Sequence, residues 1–189
     1  MTDKKYEILT DAEHTCTTSC GKTLHRIRAL REIGLVRVGC LGGFVESEKN
    51  LSQKGSAWIY DDAHVYGDAR VSGRARIYDN ARVRDNARVS GRAWVYDNAQ
   101  VTGDAHVCDA AQVSDNAVVT ERAKLCDDAH VYDTAWVLGS AIVSDNACVY
   151  GSAIVSDNAV VTDRAAVCGR TKITGDAHVG ENEVEAADV

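Results

Sequence analysis

Residues 95–119 read VYDNAQVTGDAHVCDAAQVSDNAVV, and one six-residue phrase recurs within them. Its order is Ala, a variable residue, Val, a variable residue, an acid or Gly, then a mostly polar residue. Extended both ways, the phrase begins at Ala57 and returns every six residues to Ala177, 21 times without an insertion. Ala holds the first position in 20 of these hexads, Thr171 being the exception. The third position is always Val, Ile or Leu, and the fifth always Asp, Glu or Gly. Ala-x-Val is a period-two pattern, so Ala and Val face one side and the residue between them the other. Asp, Asn and Gly tolerate the left-handed backbone that a tight corner needs. Each hexad therefore predicts a short strand and a corner, and stacked coils of such strands pair in parallel.

The pattern in VYDNAQ and VSDNAV resembles the hexapeptide repeat of left-handed parallel β-helices. The run TLHRIRALREIGLVRVGCLGGFVESEKNLSQKGSAWIYDDA (residues 23–63) more specifically resembles bacterial and prophage-encoded YdcK-type proteins. The resemblance implies an all-β, left-handed parallel β-helix with triangular coils of three hexads, hence about seven coils. At ~4.8 Å between paired strands, such a rod is about 35 Å long. Many proteins of the wider class are acyltransferases, in which a His deprotonates the acceptor and coenzyme A lies along the coils between subunits. YdcK-type proteins mostly lack an assigned activity. The expected organisation is a cap over residues 1–42, with YEIL and LHRIRAL as strands. A β-helix over 43–182 follows, its first coil (43–56) degenerate and 57–182 regular, and then an acidic tail, 183–189.

Of the hydrophobic residues, 45% of the chain, most are Ala and Val, which build a thin core. The net charge is −7, with residues 1–56 at +2 and residues 57–189 at −9. A net-acidic rod is poorly suited to binding nucleic acid directly, because neutralising phosphates requires excess cations. A straight acidic rod can imitate duplex nucleic acid, and the resemblance to prophage-encoded proteins implies an anti-defence role, by that route or by sequestering a nucleotide signal. Seven cysteines, an odd number, and no apolar leader point to reduced thiols in the cytoplasm. No stretch approaches the ~18 apolar residues of a membrane span.

With 18-residue coils, residues 18 apart stack into columns. The first face then presents Trp58, Arg76 and Trp94, flanked by Tyr60, Tyr78 and Tyr96, a surface suited to cation–π contact and stacking. Arg70 and Arg88 stack on the third face and Arg74 and Arg92 beside it, pairs able to grip a small anion such as phosphate or carboxylate. The second face carries Val118, Trp136 and Ile154 outward with Leu138 nearby, and the third carries Ile142 and Val160. Such an apolar patch predicts an interface, and resemblance to the hexapeptide-repeat class favours a trimer. A host protein is a further candidate partner. Under the acyltransferase alternative, His106 or His130 would be the base and a coenzyme A thioester the cofactor. The unbroken hexads leave no loop to close over an acceptor, which favours a binding or scaffolding role. The stacked Asp61, Asp79, Asp97, Asp115 and Asp133 are expected to accept hydrogen bonds from their own turns, so no metal site is assigned there. HTCTTSC (residues 14–20) with Cys40 offers nitrogen and sulfur ligands, but not at the spacing of a zinc knuckle.

Overall fold

Ala in the first position and Val, Ile or Leu in the third line a continuous interior, nearly all fully buried from Ala57 to Val167. The computed structural model describes residues 4–180 and 184–186. Each hexad contributes a strand of two or three residues, and every parallel pair between hexads joins residues 18 apart, as in Arg70↔Arg88 and Trp94↔Gln112. Three parallel sheets result, and the chain is an all-β parallel solenoid of about eight coils. The first face is an eight-stranded sheet from Trp58–Ile59 to Val184–Ala186. The third is seven-stranded, and the second continues into the N-terminal segment as an eleven-stranded sheet.

Strands this short hold because the corners pair as well. In one hexad, the Arg76 N–H donates to the Ala93 carbonyl at 3.0 Å and the Tyr78 N–H to the Val95 carbonyl at 3.0 Å. The Asn80 N–H bonds the Asp97 carbonyl at 2.9 Å, while the Ala81 N–H closes the corner on the Tyr78 carbonyl at 3.1 Å. The fifth residue has positive φ at every hexad from Asp61 to Gly175. Its carboxylate reaches along the rod: Asp61 accepts from the Asp79 N–H at 3.4 Å, and Glu121 from the Gly139 N–H at 2.7 Å. This corrects the expectation of bonds from the same turn. Own-turn donors contribute at some corners, such as the Ser114 hydroxyl to Asp115 at 3.0 Å, but the backbone donors come from the next coil.

The N-terminal end is covered by antiparallel strands. β1 (Tyr6–Ile8) and β2 (Thr15–Thr17) both pair with β3 (Thr23–Ala29). β4 (Leu41–Val45) is antiparallel to β3 and parallel to His64–Val65, which joins the cap to the second face. Gly42 and Gly43 permit that junction, because a Cβ on them would lie 2.6 and 2.5 Å from the carbonyl oxygens of Ile59 and Ala63. Closing an open sheet end this way removes a site for edge-to-edge pairing. At the other end the coil rhythm outlasts the sequence pattern: Val184–Ala186 pairs with Ala166–Cys168 in the segment read as a tail. The rest of that tail, 183 and 187–189, lies outside the described residues.

Lys5 is buried under the cap, its ammonium donating to the Ala57 carbonyl at 2.9 Å. Burial and the nearby Arg31 lower its pKa to about 8. Because the folded-state value is depressed, the unfolded chain binds more protons between about pH 8 and 10.5. Lys5's contribution to stability is therefore full above that window and lost as pH falls through it. Burial, followed by Glu48, raises the pKa of neighbouring Tyr6, so the phenol opposes the gain only above its ordinary range. The melting temperature of the wild type relative to Lys5→Met should rise between pH 7 and about pH 9.5. A difference that stays constant over that range would refute the assignment.

Candidate functional site

Alternation along a strand sets residues 74, 76 and 78 pointing outward in line across the first face, with 92, 94 and 96 in the next coil. Arg76 holds the middle. Its guanidinium lies 5.8 Å from the Trp94 ring centroid and donates to the Tyr78 hydroxyl at 3.3 Å. Tyr60 and Tyr78 stack at 4.4 Å, and Tyr78 meets Trp94 edge-on at 6.1 Å. Tyr132 and Tyr150 stack at 5.0 Å further along the face. Ser114 breaks the column between Tyr96 and Tyr132.

Trp58 is not part of this open surface. It is fully buried, edge-on to Tyr6 at 6.3 Å, because the cap folds over the first coil. The same fold creates a groove of about 360 Å³ in which Leu35, Cys40 and Leu41 oppose Tyr60, Tyr78 and Arg76. A second groove of about 270 Å³ is lined by Ser56, Arg74, Arg76, Arg92 and Trp94. Arg74 and Arg92, read as lying on or beside the third face, thus join the first. Their spacing of two residues before Arg76 and Trp94 was the available signal.

Arg70 and Arg88 stack on the third face as expected, in a groove of about 510 Å³ with Asp68, Asn86, Asp104 and His106. Carboxylates share this groove, so it is less selective for anions. Burial, then the charges of Arg88 and Lys124, lower the His106 pKa, keeping the imidazole neutral near pH 7. His130 is on the first face between Gln112 and Cys148, away from these residues. Among the described residues, no three His, Cys, Asp or Glu side chains are grouped to hold a metal ion. All seven cysteines are free thiols. Among the described residues, no helix is long and apolar enough to cross a membrane.

The apolar residues lie around the corner from the second face to the third. Val118, Trp136 and Ile154 are consecutive on one sheet, and Ile142 and Val160 on the next. Leu138 occupies the corner between them. Trp136 is 47% exposed and Ile142 36%.

A family model described as the YdcK β-solenoid repeat matches residues 75–91 and 141–157. Over these stretches the chain is similar to YdcK-type β-solenoids. Each match begins on a first-position Ala and spans nearly three hexads, one coil of the solenoid. The first takes in Arg76, Tyr78 and Arg88, and the second takes in Ile142 and Ile154. The repeat type thus accounts for the coil on which both surfaces are built, while their outward residues differ from coil to coil. No curated protein matches the sequence.

Proposed function

We propose that this solenoid is a YdcK-type, non-catalytic, cytoplasmic binding scaffold, wound left-handed, that assembles as a trimer through its C-terminal coils. The observation that carries this reading is the apolar belt of Trp136, Leu138 and Ile142 around one corner. Exposed Trp and Ile side chains lose contact with water when a second copy covers them, at ~25 cal/mol per Å² of apolar surface. The repeated coil gives each copy the same rigid surface, as a closed symmetric assembly requires. Light scattering should give three times the 20.3 kDa chain mass for the wild type and a monomer for Trp136→Glu. A monomeric wild type, or a mass unchanged by the substitution, would overturn the reading.

Coenzyme A-dependent acyl transfer is supported as a second reading by one observation, the neutral His106 beside Arg70 and Arg88 in a groove. Against it, the hexads carry no loop that could close over an acceptor. Calorimetric titration with acetyl-coenzyme A separates the two readings. The scaffold reading expects no heat, whereas saturable binding lost in His106→Ala would favour the enzyme.

A further inference from the structure

We infer that the strip of the first face beneath the cap is a binding site for a nucleoside phosphate. This inference does not rest on self-association, which uses other coils and another corner.

Three guanidinium groups, of Arg74, Arg76 and Arg92, converge on one groove, and none of the residues lining it is acidic. Among the described residues, Arg74 and Arg92 have no side-chain hydrogen bond or ion pair, while Arg26, Arg28 and Arg84 each have a carboxylate partner. A chain with seven more acidic than basic residues has enough carboxylates to neutralise these arginines, yet leaves them without one. Cations stacked 18 residues apart, one strand spacing along the rod, repel each other until an anion binds between them. The planar guanidinium fork suits the oxygens of a phosphate, which it can bind in bidentate fashion.

Beside the arginines lies a second chemistry. Trp94 is 41% exposed at one edge of the arginine groove. Across Arg76, which lines both grooves, Tyr60 and Tyr78, stacked on each other, line the second groove opposite Leu35 and Leu41 of the cap. A planar base gains by lying on an aromatic ring, as in single-stranded nucleic acid complexes. Outward residues two apart are separated by ~6.6 Å along a strand. A phosphate held by Arg74 and Arg92 is therefore about one sugar away from a base beside Trp94. The order anion site, spacer, aromatic slot matches phosphate, ribose, base.

Size and charge restrict the ligand to a small one. The cap walls the slot on one side, and the Asp61–Asp79–Asp97 column stands at the corner beyond the tyrosines. A polynucleotide leaving in that direction would meet like charge, while a mononucleotide ends before it.

Calorimetric titration of the full chain with AMP, GMP, CMP and UMP, each alongside its nucleoside and inorganic phosphate, tests the assignment. At least one monophosphate should bind saturably, ten-fold or more tighter than its nucleoside and than phosphate. Arg74→Gln, Arg92→Gln and Trp94→Ala should each weaken that binding at least ten-fold, with circular dichroism unchanged. Arg88→Gln on the third face and Trp136→Glu should leave it intact. Failure of all four monophosphates to bind at millimolar concentration would overturn the inference. So would phosphate binding as tightly as the nucleotide, or an affinity indifferent to Arg74, Arg92 and Trp94.

Discussion

Val113→Asp should divide the rod into two separately melting parts, whereas Gln112→Asp, one residue away on the same strand, should leave it nearly unchanged. Val113 is fully buried between Val95 and Val131 in a column of aliphatic side chains. Nothing in that column can pair with a carboxylate, and an uncompensated buried charge costs about 3–5 kcal/mol. Gln112 points outward, where a substitution is usually worth less than about 0.5 kcal/mol. The geometry of a solenoid converts the first cost into lost cooperativity. Each coil contacts only its neighbours, so stability is a sum of coil and interface contributions. A lesion in the middle removes two interfaces and uncouples the capped N-terminal coils from the rest. Urea melts followed by circular dichroism should show one transition for wild type and Gln112→Asp, and two for Val113→Asp. A single transition, shifted equally by both substitutions, would contradict this account.

The same strand shows what could be read from the sequence. Ala111 and Val113 were legible as interior and Gln112 as exterior, because two-residue alternation inside a six-residue period admits no other assignment. The left-handed corners were equally legible, since Asp115 and its equivalents are confined to Asp, Glu and Gly. Trp58 was not legible. It occupies the same outward position as Trp94, and only the cap, brought over it by long-range pairing of β3 and β4, separates a buried ring from an exposed one. The joining of Arg74 and Arg92 to the first face turns on whether a corner residue leans toward the sheet before it or the one after, and their place two residues before Arg76 and Trp94 is the one hint in the sequence. The final strand was hidden for a different reason. Glu183 and Glu185 stand where Ala and Val would be expected, yet the backbone pairs in the 18-residue register regardless of side chain.

The fifth position supplies the second large effect, because residues that are interchangeable in the repeat are not interchangeable in the structure. Asp115 has φ 55°, accepts from the Asp133 N–H at 3.3 Å, and donates its own N–H to Asp97 at 3.3 Å. Asp115→Val places a β-branched residue in the left-handed region, costing about 1–2 kcal/mol. It also removes a charged acceptor worth about 1.5 kcal/mol, so a loss of about 2.5–3.5 kcal/mol is expected. Asp115→Gly loses the same acceptor but relieves the backbone, and should remain within about 1 kcal/mol of wild type. Gly139 reverses the comparison. A Cβ there would lie 2.5 Å from the backbone nitrogen of Asp157 and 2.8 Å from its Cα, so even a methyl group requires the next coil to shift. With φ 70° as well, Gly139→Ala should cost at least about 2 kcal/mol from strain and overpacking. Denaturant midpoints of the three variants test the ladder directly. The expected order places Asp115→Gly nearest wild type, with Asp115→Val and Gly139→Ala well below it. If Asp115→Gly proved as damaging as Asp115→Val, the carboxylate and not the left-handed backbone would dominate at these corners.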